Sequence, residues 1–205
     1  MKVGIFTPCF REQVHIGQSY MLARLCVSLA PAGMRPDPFY RASACLDAAR
    51  NWAVNEACRR DCHTLLMVDA DVFTTEPTFL ADMLDEIKTG AAVVGAAVMT
   101  RDGRENTTAD GAVGTGLMLI DLRKLTDMPQ PWFRTKFDER GEVSTGEDIS
   151  FCRRVMAHGR RVAIVRSFPT THVGESHYQF SPAAAVNAAP RDGAPLRAVE
   201  TRHHA

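Results

Sequence analysis

The run Thr64-Leu65-Leu66-Met67-Val68-Asp69-Ala70-Asp71 climbs from uncharged, aliphatic residues into two carboxylates spaced Asp-x-Asp. Two hard oxygen donors this close suit Mg2+ or Mn2+, and such an ion usually also holds substrate phosphates. On a strand, residues two apart point the same way, so Asp69 and Asp71 would share one target. If the chain turns after Val68, they divide the work instead. The plainer reading of the motif alone is a strand end that caps the next helix. The chemical reading gains weight from a second acidic pair, Glu147-Asp148, and a late histidine, His172.

The elements that would place these residues follow from hydrophobic pattern. A run as short and apolar as 64–68 reads as a strand buried on both faces, its polar end at the carboxyl edge of a parallel sheet, where open α/β sheets bind ligands. Residues 2–6 predict a first, central strand ended by Thr7-Pro8, followed by a polar loop over 9–17 and a helix over 19–29. The proline-rich 35–38 reads as a loop beside a short second strand whose position the pattern does not give. A helix is predicted over 41–60 with Ala42, Leu46, Ala49, Ala53 and Ala57 as its apolar stripe. Arg50 and Asn51 lie outside that stripe. A further helix follows Pro77, burying Phe79, Leu80, Met83, Leu84 and Ile87 and closed by Gly90. Strands are expected over 91–98, 117–122 and 161–165, and a mobile polar loop over 100–110. Gly114-Thr115-Gly116 signals close backbone approach or a tight turn. The stretch 129–133 reads as a rigid loop showing Trp132 and Phe133, either as core packing or as a sugar-stacking platform. Thr145-Gly146-Glu147-Asp148 opens a last helix with Arg153 and Arg154 outward, and acidic groups there also suit the helix dipole. Alternating strands and helices give a single α/β domain over 1–180 with a largely parallel sheet. From Ser181 the composition predicts a loosely ordered tail over 181–205.

Composition narrows the partners. The 205 residues are 45% hydrophobic and 23% charged, ordinary for a soluble domain. Twenty-four basic residues balance twenty-four acidic ones, so net charge gives no push toward nucleic acid or membrane. The six cysteines contain no Cys-x-x-Cys pair, which predicts free thiols in a reducing compartment. Cys58, Cys62 and His63 lack the partner pair that structural zinc needs. With no leader-like opening and no run of spanning length, a cytoplasmic location is expected.

Taken in order, Phe6-Thr7-Pro8, Ala49-Arg50-Asn51, Leu66-Met67-Val68-Asp69-Ala70-Asp71, Val93-Val94-Gly95-Ala96, Gly114-Thr115-Gly116-Leu117-Met118-Leu119-Ile120, Gly146-Glu147-Asp148-Ile149-Ser150-Phe151-Cys152 and His172-Val173-Gly174 resemble the nucleotide-sugar glycosyltransferases of the GT-A fold. The likeness runs from about residue 2 to about 175 and is nearest in pattern to the family-2-like enzymes, including compact bacterial and phage members. It implies a Rossmann-like, mostly parallel sheet flanked by helices. It also implies a metal-dependent hexosyl- or pentosyltransferase, with a UDP-sugar as the favoured donor. Carried over residue by residue, Thr7 and Pro8 seat the base and ribose, with Arg50 and Asn51 bordering the same pocket. Asp69 touches the ribose or a metal-bound water, and Asp71 ligates Mn2+ or Mg2+, completed by His172. Gly114, Thr115 and Gly116 line the sugar pocket, and Glu147 and Asp148 are the acceptor-side carboxylates: in an inverting reaction Asp148 is the base and Glu147 the orienter or the reverse, and in a retaining one neither need be a base.

The chain is short for such an enzyme. Either the acceptor is large, or the enzyme works as a homo-oligomer. A saccharide and a hydroxylated, phage-type DNA base both fit. For DNA, Arg59-Arg60, Arg101 with Arg104, and Arg153-Arg154 offer phosphate contacts. Two other readings stay open. One is a nucleotidyltransferase, although Thr7-Pro8-Cys9-Phe10-Arg11 lacks the glycine-rich phosphate loop usual there. The other is a non-catalytic nucleotide- or sugar-binding module.

Overall fold

A computed structural model of the chain describes residues 1–9, 13–100 and 102–174, and the backbone alone of 177–180. In order, the elements are β1 (Lys2–Cys9), α1 (Ile16–Leu29), β2 (Arg35–Ala42), α2 (Leu46–Arg59), β3 (Thr64–Val68), β4 (Val72–Phe73), α3 (Phe79–Lys88), β5 (Ala91–Ala96), β6 (Leu117–Asp121), β7 (Lys136–Phe137), β8 (Val143–Thr145), α4 (Glu147–Ala157), β9 (Arg161–Val165), β10 (Thr170–Val173) and β11 (His177–Phe180).

Every residue of β3 is buried, as its unbroken apolar run requires. Leu65 and Met67 join the cluster beneath α2 and α4, while Leu66 and Val68 join the one beneath α1 and α3. Each such side chain contributes about 1.5–3 kcal/mol on burial, so a one-residue slip would be costly on both faces. The main sheet has six strands in the order β2-β1-β3-β6-β5-β9. The pairings β1–β2, β1–β3 and β5–β9 are parallel, and β6 alone runs against its neighbours β3 and β5. This is the mixed α/β, mostly parallel sheet that the sequence predicts.

Four expectations are corrected. Residues 35–42 are a strand, β2, not a loop. The Arg35 N–H donates to Met1 O at 2.9 Å, so odd-numbered amides face β1 and the imino nitrogens of Pro36 and Pro38 face the open edge, where no donor is needed. Consequently α2 starts at Leu46 rather than at 41, because Arg41 and Ala42 finish β2. Strand β1 extends through Cys9, taking Thr7 and Pro8 into the sheet. The expected mobile loop is tied down at 106 and 107: Asn106 exchanges backbone and side-chain bonds with Val98, and Thr107 bridges to Val113. The expected tail, 181–205, lies outside the described residues.

Two details place the site. A Cβ on Gly95 would sit 2.4 Å from Val113 Cγ1, so only glycine lets the 106–116 segment settle onto β5. A smaller sheet, ordered β11-β10-β4, puts His172 opposite Val72, one residue from Asp71.

Candidate functional site

The chain turns sharply after β3. Asp69 N–H donates to Gly116 O at 3.0 Å, and Asp69 O accepts from Val72 N–H at 3.1 Å. Asp69 and Asp71 therefore part company, the second of the two arrangements that the spacing permits. Asp69 Oδ1 accepts from Arg50 Nη2 at 2.9 Å, and the other terminal nitrogen of Arg50 pairs with Glu147. Arg50 is only 2% exposed.

Asp71 faces His172 instead, with 3.3 Å between Oδ2 and Nε2. His172 Nδ1 lies 3.1 Å from Met99 O. A carbonyl can only accept, so Nδ1 donates to it and Nε2 is turned to the Asp71 carboxylate. A histidine whose far nitrogen is fixed by a carbonyl is the usual form of a metal ligand. Among the described residues no three His, Cys, Asp or Glu side chains gather closely enough to hold an ion. Asp71 and His172 thus fit a hard divalent ion that takes its remaining oxygens from elsewhere, and Asp69 is not grouped with them.

Helix α4 opens on the Asp69 side, joined to it through Arg50 and Glu147. Asp148 Oδ1 accepts from Ile149 N–H at 2.7 Å, and Oδ2 accepts from Thr115 N–H at 3.2 Å. A carboxylate in a first helical turn is further favoured by the helix dipole. The glycines around it leave room for its carboxylate. A Cβ on Gly146 would stand 2.9 Å from Asp148 Oδ1, and one on Gly114 would stand 3.2 Å from both Oδ2 and the Asn106 side chain. Gly116 packs against Val72 and Val98 rather than opening to the site. Asn106, which flanks Gly114 and bonds its carbonyl, was not foreseen. Its signal in the sequence is faint, a lone Asn in a polar stretch. Behind α4, the Cys152 thiol donates to Val113 O at 3.3 Å, and burial pushes its pKa up to about 12.

Three other expectations fare differently. Thr7 and Pro8 are buried in β1, and Thr7 Oγ1 accepts from Gln18 Nε2 at 2.8 Å, so these side chains brace α1. Asn51 does not face the carboxylates: its amide brackets Phe133, donating to the carbonyl at 2.8 Å and accepting from the N–H at 3.0 Å. Trp132 and Phe133 are no platform. They are 6% and 1% exposed, and Phe133 stacks on Phe151 with 4.3 Å between ring centroids. Apolar rings with a core within reach are driven into it unless something holds them out. The loop is tied from three sides, by Asn51, by Asp47 to Thr135, and by Arg154 to the carbonyls of Pro129, Pro131 and Trp132.

The described arginines of the three clusters also have partners. Arg59 and Arg60 pair with Glu56, Arg60 also with Asp37, Arg104 with Asp102, and Arg153 with Asp110. An apolar cavity of about 140 Å3 lies between α1 and the 73–79 segment, away from the carboxylates. No helix among the described residues is long and apolar enough to cross a membrane.

No family model matches the chain, and no curated protein resembles it in sequence. Solved structures do share its fold. A197 from STIV superposes with a TM-score of 0.60 at 18% identity, over 89% of this chain and 91% of that one. S. aureus TarS 1–349 in complex with UDP-GlcNAc gives 0.51 at 14% identity, over 95% of this chain and 60% of that one. The same TarS fragment crystallised on its own gives 0.50 at 14% identity. The chain therefore spans about 60% of the TarS fragment's length. At these identities the likeness is one of fold, and that fold is the GT-A type.

Proposed function

We propose that the chain is a glycosyltransferase that moves a sugar from a nucleotide-diphosphate sugar, a UDP-sugar being favoured, to a hydroxyl acceptor. One observation carries this reading. Asp69 after β3 and Glu147 at the start of α4 share Arg50, Asp148 next to Glu147 accepts from the Thr115 N–H, and the Asp71–His172 pair follows Asp69 by two residues. The shared fold supports it, since TarS was crystallised with UDP-GlcNAc in such a fold.

In this reading Asp69 receives the ribose hydroxyls, and Gly114 and Thr115 give the sugar a close backbone wall. Asp71 and His172 would hold Mn2+ or Mg2+, which when bound neutralises the charge that grows on the departing diphosphate. Asp148 takes the proton from the acceptor hydroxyl. Its two backbone N–H bonds, from Thr115 and Ile149, hold it aimed. A positioned base of this kind is worth about 10²–10⁴-fold in rate. Glu147 orients the acceptor. The pairing of the described arginines favours a saccharide acceptor over DNA.

The reading is tested by thermal melting with UDP and a panel of nucleotide sugars, with Mn2+ and with EDTA. A donor at a hundredfold its Kd stabilises by about 2.7 kcal/mol. For a domain of this size that raises the melting point by about 5–10 °C. A metal-dependent rise that is lost in Asp71→Asn and His172→Ala is expected. No rise with any uridine nucleotide in the presence of metal would overturn the donor assignment. Release of pyrophosphate from a sugar phosphate and a nucleoside triphosphate would point to the nucleotidyltransferase instead.

A further inference from the structure

Arg50 is, among the described residues, the largest fully buried side chain, and it lies between two carboxylates on different elements. One terminal nitrogen takes Asp69, on the loop leaving β3, and the other takes Glu147, at the start of α4. Its Nε has no partner among the described residues. Asp69 is 28% exposed at its side chain and Glu147 12%, so both reach the open side while the guanidinium does not. An arginine is costly to bury, and a buried cation facing one carboxylate would be satisfied with one. This cation is shared. The two carboxylates therefore compete for a single positive charge.

We propose that Arg50 is a positioning residue that couples donor capture to the acceptor side, a role that rests on the glycosyltransferase reading above. When a donor's ribose engages Asp69, that carboxylate gives up part of its hold on the guanidinium. Arg50 then pairs more fully with Glu147 and fixes it for the acceptor. The coupling is reciprocal: removing Glu147 leaves Asp69 with the whole cation, so the donor must compete harder for it.

The test is a cycle read by calorimetric titration of UDP with Mn2+. The proteins are wild type, Glu147→Gln, Asp69→Asn and Asp69→Asn/Glu147→Gln, each with Arg50 present and again with Arg50→Lys. Lysine keeps the charge and loses the fork that reaches two carboxylates at once, so the fold should survive where Arg50→Gln would not. Residues sharing one ion-pair network commonly couple by about threefold to tenfold. With Arg50 present, Glu147→Gln is expected to weaken UDP binding by about that factor, although Glu147 itself does not touch the nucleotide in the proposed reading. In the Asp69→Asn and Arg50→Lys backgrounds the same substitution should change the affinity less than twofold. A merely structural Arg50 would lower the melting point equally in all backgrounds and leave that pattern absent. An equal effect of Glu147→Gln with and without Arg50, or none at all, would overturn the coupling while leaving the donor reading standing. Failure of UDP to bind the wild type would overturn the donor reading and the donor link together.

Discussion

Replacing Asn51 by Ala separates two roles for that residue. The sequence pattern places Asn51 at the donor pocket; the structure places it as the bracket of the 129–135 loop. Its amide donates to Phe133 O at 2.8 Å and to Asp47 O at 2.7 Å, and it accepts from Phe133 N–H at 3.0 Å. Alanine removes all three bonds and strands the backbone N–H and C=O of Phe133, a residue only 1% exposed. Each stranded buried polar group costs about 1–3 kcal/mol. Partial access of water to the Asn51 side trims the total to about 2–4 kcal/mol. For a domain of this size 1 kcal/mol moves the melting point by about 2–4 °C, which predicts a fall of about 4–16 °C. The assay is thermal unfolding followed by circular dichroism, with UDP affinity measured on the same protein well below its transition. A large drop in melting point with affinity within about twofold of wild type is expected. An unchanged melting point with lost UDP binding would refute the bracket and restore Asn51 to the donor pocket.

Other substitutions probe separate claims. Asp148→Asn should lower transfer by about 10²–10⁴-fold while leaving UDP affinity unchanged, and near-normal turnover would remove it as the base. Gly95→Ala places a methyl 2.4 Å from Val113 Cγ1 and should cost about 1–3 kcal/mol, with Val113→Ala in the same chain recovering most of it by thermal melting. At pH 8 a thiol reagent should modify exposed Cys45 quickly and Cys152 only on unfolding, because burial holds the Cys152 thiol neutral up to about 12. The linkage follows in sign: the folded pKa is raised, so the contribution of Cys152 to stability is constant below pH 9 and is lost as pH climbs from about 9 toward 12. Chemical denaturation at pH 7 and pH 10 checks it.

Much of the fold was legible because burial writes itself into short sequences. The run of β3, the stripe of α3 and the acidic opening of α4 all rest on local periodicity. What stayed hidden depended on partners far along the chain. Strand β2 was missed because Pro36 and Pro38 read as breakers, and only an open sheet edge makes them harmless. Arg50 was assigned to the outer side of α2 because the stripe was centred on Ala49, Ala53 and Ala57. Val54, four residues after Arg50, is also buried, and including it turns the stripe enough to bring Arg50 inside. That rotation was the available signal. No local rule could reveal that its counter-charges would be Asp69 and Glu147, nor that Asn51 would close on Phe133, 82 positions away. The candidate site was thus legible as a set of residue types and obscure as a set of pairings. The spacing of Asp69 and Asp71 allowed one shared target or two, and only the turn after β3 decides for two.

The prolines of β2 also bear on how copies of this chain can meet. A strand added to the outer side of the sheet would need amide donors from the even-numbered positions of β2. Pro36 and Pro38 supply none, leaving Tyr40 and Ala42 as the only donors along eight residues. Strand-to-strand growth across that border is blocked over half its length, a built-in guard against runaway stacking of unfinished or crowded molecules. Backbone pairing between copies at that border is therefore confined to its 40–42 end.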